Sequence, residues 1–370
     1  MEQTQKVGVA LLKHFEQLTD RRIDRTKLHP LKDIIMLTIM AVICGADSYI
    51  EIEEFGLAKE QWIRQFLELP HGIPSHDTIG RVMANIYPEE FESCFIQWVL
   101  SMTRLTEGEL ISIDGKTLRR SYDKSCDKSA IHMVSAWANK NRMVLGQCKT
   151  SEKSNEITAI PELLDKIVIK DCIITIDAMG CQKEIAKKIV AAEGDYVLAI
   201  KGNQGGFFEN VKHQFTILKP NDTDEQTDAG HGRVEVRKCS VINDLKFIDE
   251  KQEWEELTSL VKIDAIRIID EKTTQETRYY ISSLKASAEE FNLIIRSHWG
   301  IENELHWRLD IAFREDECRI RKDNGAENFS VVRRIALNLL KKDKSVKAGI
   351  KTKRMKAGWD NDYLTEILKI

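Results

Sequence analysis

Apolar residues recur every third or fourth position through roughly the first 105 residues, and that spacing predicts helices. The runs VGVALLKHF, KDIIMLTIMAVICGA, IEIEEFGLAKEQWIRQFLEL and PEEFESCFIQWVLSM all carry it. Between the last two lies GIPSHDTIGRVMANI. There Pro74 and Ser75 predict a helix start with Ser75 as the N-cap. His76, Asp77, Thr78 and Arg81 then occupy its first turns. Such a helix either meets base edges in DNA or is simply a capped member of a bundle.

The period changes at Leu110. LISIDGKTL, IHMVSAWA and MVLGQCKT read as three strands, with ANKNR (Ala138 to Arg142) as the turn of a hairpin between the second and third. A helix (EITAIPELLDKI), a buried strand (DCIITIDAM), a second helix stopped by Gly194 (CQKEIAKKIVAAEG) and a fifth strand (DYVLAIKGNQ) follow. The order β-β-β-α-β-α-β predicts an α/β fold, a mixed sheet with helices against it. From 206 to 284 the pattern predicts a β-rich insertion. GRVEVRKCSVI, SLVKIDAIRIID and TRYYISSL are its strands, and KPNDTDEQTDAG is a polar loop. A long helical stretch comes next (AEEFNLIIRSHWGIENELHWRLDIAF), then a polar loop and a closing helix, ENFSVVRRIALNLLKK. The expected organisation is a helical region over 1–105, an α/β domain over 106–345 with the insertion at 206–284, and a basic tail over 346–370.

Composition narrows the class. The chain has 370 residues, 42% hydrophobic and 31% charged, with a net charge of −4. That charge does not advertise a polyanion partner, so any nucleic-acid contact has to rest on local charge. One such segment runs from Lys341 to Lys356, with eight Lys or Arg against the single acid Asp343. Eight cysteines without a CxxC pair, and no signal-like opening, predict a cytoplasmic protein with reduced thiols. The longest apolar run, Ile34 to Ala46, is shorter than the roughly 20 residues of a membrane span and predicts a buried helix instead. There is no internal repeat, low-complexity stretch or GxxxxGK[ST] phosphate loop.

Three acids stand out against this background. Asp114 interrupts the first strand, although Asp is depleted in strands. Asp177 closes the fourth, and Glu302 sits in HWGIENELHW on the late helix. In this element order the first and fourth strands can lie side by side and parallel, which brings Asp114 and Asp177 to one end of the sheet. Ligands of open α/β sheets bind outside that carboxyl end. A helix packed across it can add Glu302. Converging carboxylates repel unless protons or a cation intervene. All-oxygen donors suit hard Mg²⁺ or Mn²⁺, and two such ions about 4 Å apart clamp an in-line phosphoryl transfer. Lys116, Arg119 and Arg120 then lie where a phosphate backbone would pass. Taken singly, each acid is equally a turn device, a cap or a solvated helix residue.

The chain resembles DDE-type transposases of bacterial insertion sequences, specifically the group that includes the H-repeat-associated transposases. ISIDGKTLRRS, KSNEITAIPELL, ITIDAMGCQ, DYVLAIKGNQ, HGRVEVR, RYYISSL and SHWGIENELHWRLDIAFRED are similar to that group's blocks and come in the same order. The likeness covers essentially the whole chain, including the helical N-terminal part. It implies an RNase H-like catalytic core in which Asp114, Asp177 and Glu302 bind two Mg²⁺ or Mn²⁺ ions. It implies double-stranded DNA as partner, at element ends and target, and a homodimer on that DNA. The choice of Glu302 over Glu304, Asp310, Glu315 and Asp316 rests on the resemblance. Many related transposases carry Tyr-x-x-Arg-x-x-x-Glu with a Lys seven residues after the Glu. Here Ile295, His298 and Leu309 stand at those places, so His298, His306, Arg308 or Asn303 become candidates for the DNA-end contacts.

Further candidates follow from position. Lys201, Asn203 and Gln204 come after the fifth strand, either facing the same sheet end or forming a polar loop. His231, Arg233 and Arg237 are candidate DNA contacts of the insertion. Trp299 and Trp307, eight apart, are expected in the core rather than as base-stacking platforms. The implied reaction is metal-dependent hydrolysis at the element's end, followed by attack of the freed 3′-OH on target DNA. A silent DNA-binding relic and an RNase H-like nuclease are the alternatives. Terminal inverted repeats beside the gene would favour the active transposase.

Overall fold

The computed structural model describes residues 9–122, 128–150, 156–230, 232–270 and 272–369. Five helices come first: α1 (Val9–Phe15), α2 (Leu31–Ile43), α3 (Tyr49–Ile63), α4 (His76–Asn85) and α5 (Pro88–Met102). Their starts are written locally. Ser48 and Glu51 form a reciprocal capping box at α3. The Ser75 side chain accepts from the Thr78 amide at α4. Pro88 occupies the first turn of α5, where its missing N–H costs nothing. Every residue of α2 from Asp33 to Ile43 is buried, so the longest apolar run of the chain is a core helix. Among the described residues no helix is long and apolar enough to cross a membrane.

The sheet begins with β1 (Glu109–Thr117), β2 (His132–Ala138) and β3 (Met143–Lys149). It continues through α6 (Glu156–Lys166), β4 (Cys172–Ile176), α7 (Lys183–Ala191) and β5 (Asp195–Ile200). β1 pairs antiparallel with β2 and parallel with β4, in register Ile113↔Ile176. β4 pairs parallel with β5. This is the mixed, helix-flanked α/β sheet that the order of elements predicts, with the ends of β1 and β4 adjacent.

The segment after β5 departs from expectation in two ways. It opens with a helix, α8 (Gly206–Ile217), and then supplies four strands: β6 (Asp222–Gly230), β7 (Arg233–Ile242), β8 (Ser259–Ile269) and β9 (Lys272–Ser282). The stretch expected to be a polar loop, within KPNDTDEQTDAG, is strand β6. Its residues are nearly all solvent-facing, because it is the edge strand, so it carries no apolar alternation to betray it. These strands also do not form a separate sheet. β9 pairs antiparallel with β5, giving one nine-stranded sheet in the order β3-β2-β1-β4-β5-β9-β8-β7-β6.

That extension carries α9 (Ala288–His298). Phe291 and Ile295 of α9 pack with Val197, Val241, Val261, Ile263 and Tyr280 of the strands beneath. The edge strand ties the helix down: Asp222 accepts from the Ala288 amide at 2.8 Å, and Asp224 accepts from Asn292 Nδ2 at 2.8 Å. The chain then winds through a π-helical turn, Ile301–His306, into α10 (Trp307–Phe313). α11 (Gly325–Lys342) is buried along almost its full length. It packs on α2, α4, α5 and β3, joining the N-terminal helices to the sheet in one apolar core. The chain ends in α12 (Ile350–Trp359) and α13 (Asn361–Leu368). The basic segment is therefore not all solvent-facing: Lys341 pairs with Glu304, Lys353 with Asp343 and Arg354 with Asp47.

Candidate active site

Strand alternation sends Ile111 and Ile113 into the core, and Ser112 and Asp114 to the side where α9 crosses. Ser112 Oγ accepts from Asn139 Nδ2 (2.9 Å) and from Thr175 Oγ1 (3.2 Å), and Thr175 Oγ1 lies 2.9 Å from His298 Nδ1. This hydrogen-bonded floor spans β1, β4 and α9. Above it lies a cavity whose walls include Asp114, Asp177, Lys201, Arg278, His298 and Glu302. The three acids, drawn from β1, the end of β4 and the π-helical turn, thus share one cavity.

They do not sit equivalently. Asp114 is largely buried, and burial pushes its carboxyl up to about 6, with His306 pulling the other way and Glu156 and Asp177 adding repulsion. Glu302 is held below the usual carboxylate range, chiefly by the hydrogen bond from His306. His306 Nδ1 lies 3.0 Å from Glu302 Oε2 and 3.5 Å from Asp114 Oδ2. Asp177 Oδ1 accepts from the amides of Met179 (3.0 Å) and Gly180 (3.3 Å). Part of that carboxylate therefore shapes the turn after β4, the bland role open to any Asp at a strand end.

The structure separates Glu302 from its acidic neighbours. Glu304 is tied to Arg142 (2.7 Å) and Lys341 (2.5 Å). Asp310, Glu315 and Asp316 all face the Lys116 ammonium, at 2.6, 3.5 and 2.9 Å. Of these acids only Glu302 lines the cavity.

The expected phosphate contacts divide sharply. Lys116 is corrected: its side chain is 9% exposed, and its ammonium is spent on those three carboxylates, so it does not face a passing backbone. Arg119 is 78% exposed, with one contact to Asp316 at 3.1 Å. Arg120 is also exposed. Lys201 is on the cavity wall. Asn203 and Gln204 turn the other way, their amides donating to the carbonyls of Ala178 (2.8 Å) and Cys181 (2.5 Å). They brace the loop that carries Asp177. His298 is a cavity residue kept neutral, pushed down to about 4 by burial and then by Arg278 and His306, so it is no substitute for an arginine's charge. Arg308 lies over the Trp307 ring at 4.9 Å.

Trp299 and Trp307 correct another expectation. They are 42% and 50% exposed rather than core. Arg278 lies over Trp299 at 5.0 Å. Arg233 and Arg237 line a neighbouring groove together with Arg267, Arg278 and Arg296. His231 lies outside the described residues. On α4, His76 is paired to Glu53 at 2.5 Å, while Asp77 and Arg81 are exposed.

Two participants had no local signal. Arg278, from the far strand β9, reaches the cavity only because β9 joins the sheet beside β5. Thr175 is an ordinary strand residue whose role depends on facing His298.

Donor chemistry suits a divalent cation: one atom each from Asp114, Glu302 and His306 fall within 4.8 Å of one another. A family model described as Transposase DDE domain matches residues 106–339, and one described as DDE_Tnp_1-associated matches residues 12–99. Two proteins of Escherichia coli strain K12 are each 45% identical over 369 residues, covering 97% of this chain and 97% of the relative. They are "Putative protein YbfL" and "H repeat-associated putative transposase YhhI". "Putative transposase YncI" of Escherichia coli O157:H7 is 45% identical over 367 residues, covering 97% of this chain and 94% of its own.

Proposed function

The chain belongs to the DDE transposase family, alongside the H-repeat-associated transposases, and from that premise we propose that it cuts DNA at the ends of a mobile element and joins the freed 3′ end to target DNA. The observation that carries this is the meeting of Asp114, Asp177 and Glu302, distant in the chain, on one cavity beside the carboxyl ends of two adjacent parallel strands. The strand order β3-β2-β1-β4-β5, with helices between β3 and β4 and between β4 and β5, supports an RNase H-like core. The remaining four strands are then the insertion that carries α9, the helix leading into the turn of Glu302.

Asp114, Asp177 and Glu302 would hold two divalent cations, Mg²⁺ or Mn²⁺. Ions held there would supply a nucleophilic water near neutral pH and positive charge against the phosphoryl oxygens. The chain's own groups do the rest. Asp114 and Glu302 fix the carboxylate geometry from two rigid elements, and Asn203 and Gln204 hold the loop of Asp177. Arg278 and Lys201 bring positive charge to a scissile phosphate entering the cavity. The half-buried walls limit bulk water, so positioning and charge supply most of the catalysis. Joining uses the same in-line geometry with a 3′-OH in place of water, and needs no Ser, Tyr or Cys nucleophile. Arg119, Arg120 and Arg308 remain open to the DNA backbone. Acting on two ends together calls for a homodimer on DNA.

The test is incubation with the DNA flanking the gene and Mg²⁺, followed by sizing of the products. Wild type is expected to give end cleavage and strand-joining products. Asp177→Asn is expected to lose both while still shifting the DNA in a gel. Cleavage without joining would point to a nuclease, DNA binding without either to a silent relic. Residual Mg²⁺-dependent cutting by Asp177→Asn would overturn the assignment of that residue.

A further inference from the structure

We infer that His306 is a direct protein ligand of the cation held by Asp114 and Glu302, making this half of the site a mixed nitrogen–oxygen centre. The inference rests on a cation binding at these carboxylates, and it adds a donor that the three-acid description lacks.

The geometry comes first. Nδ1 of His306 lies 3.0 Å from Glu302 Oε2 and 3.5 Å from Asp114 Oδ2, and all three donor atoms lie within 4.8 Å of one another. Around an ion with ligand bonds of about 2.1 Å, neighbouring octahedral positions are about 3 Å apart and opposite ones about 4.2 Å. The spacings observed need only small adjustments to surround one ion. Asp177 is not part of this group. Its Oδ1 is engaged by the amides of the turn, and it lies outside the group of three donors.

The ring is also committed. His306 is 3% exposed, so it cannot swing out to solvent. Among the described residues its Nε2 is buried with no hydrogen-bond partner, and the two acids face Nδ1. With the ring proton on Nε2, Nδ1 turns a lone pair toward the two carboxylates, and a divalent cation would take the place of the hydrogen bond that Nδ1 otherwise gives to Glu302. Backbone supports the aim: the π-helical turn Ile301–His306 sets Glu302 and His306, four apart, toward the same place. Turns of this kind concentrate at functional sites.

An imidazole donor shifts preference among cations. Carboxylate and water ligands suit Mg²⁺, whereas nitrogen favours first-row transition ions. Mn²⁺ is therefore expected to bind more tightly than Mg²⁺, and by a margin that depends on His306.

The experiment uses the full-length protein without DNA, titrated with Mn²⁺ and followed by electron paramagnetic resonance. In wild type, pulsed spectra are expected to show nitrogen coupling from a directly bound imidazole. His306→Gln is expected to lose that coupling and to bind Mn²⁺ at least about tenfold more weakly, with a smaller change for Mg²⁺ in competition. His306→Asp is expected to restore binding without nitrogen and to move the preference toward Mg²⁺. Bound Mn²⁺ without nitrogen coupling in wild type would overturn the inference whatever the variants do, and would leave His306 as a neighbour of the acids outside the coordination shell. If Asp114→Asn and Glu302→Gln then still abolished Mn²⁺ binding, the cation site would stand without His306. If neither variant affected binding, the site would fall as well.

Discussion

Lys116 and Glu302 show how little a residue's neighbours in the chain say about its work. Lys116 follows Asp114 by two positions and shares its face of β1, yet α10 and the turn after it bury its ammonium among Asp310, Glu315 and Asp316. Removing it takes the cation from among three carboxylates, leaving Asp310 without that partner while Glu315 keeps Arg334 and Asp316 keeps Arg119. Lys116→Ala is expected to cost about 3–5 kcal/mol in chemical denaturation, the usual toll for breaking a buried pair from one side. Arg119→Ala is expected to leave stability within about 0.5 kcal/mol and to flatten the salt dependence of DNA binding instead. Equal loss of stability in the two variants would contradict this division. Gly300 makes a finer point. A Cβ there would sit 2.5 Å from Asn139 Oδ1, and Asn139 is held by Leu110 O and Ser112 Oγ. Gly300→Ala is expected to push the turn of Glu302 away from β1, lowering turnover at least tenfold while DNA binding persists in a gel-shift assay.

Among the elements, the strands after β5 matter more than their description as an insertion suggests. They form the seat of α9, and through Asp222 and Asp224 they hold the helix that delivers Glu302. Asn292→Ala leaves Asp224 without that bond, and it is expected to slow cleavage without changing the affinity for DNA. The last two helices are fastened in a comparable way. Asp343 sits just past α11 and pairs with Lys353 of α12 (3.0 Å) and Tyr363 of α13 (2.8 Å). Burial alone would raise its carboxyl, but Ser345, Lys353 and Tyr363 pull it down to about 2, below its ordinary 3.8. A depressed carboxyl contributes stability that is present above the unfolded value and fades as the pH falls through the folded one. Asp343→Asn is thus expected to cost about 1–2 kcal/mol at pH 7. The gap between variant and wild type should narrow as the pH is lowered from about 4 towards 2, as read by urea denaturation at each pH.

One helix binds the protein together. Asn328 of α11 donates to the carbonyls of Met83 and Ile86 in the N-terminal helices. Asn338, three turns on, exchanges two hydrogen bonds with Val144 of β3. With the apolar core continuous across this helix, the N-terminal helices and the sheet should unfold together. A single calorimetric transition is expected, and a well-separated early transition of the N-terminal helices would count against the shared core.

Much of this could be read from the chain alone. Periodicity located the helices before β5, the late helices from α9 to α11 and the first five strands, because half-buried elements must alternate or repeat with their own geometry; α8, α12 and α13 it missed. The capped starts of α3 and α4 are equally local. The edge strand β6 escaped because a strand exposed on both faces has no apolar pattern to show. The acids were legible as candidates, and the family blocks singled out Glu302. Distance and burial were not legible, since they arise where segments far apart in sequence pack together. Residue order therefore settled which elements form and which acids were available. The packing of β9 beside β5, of α9 over the extended sheet and of His306 against Asp114 settled which charges are spent internally and which converge on the cavity. The physical reason is that a side chain's electrostatic environment belongs to its neighbours in space, which local periodicity does not encode.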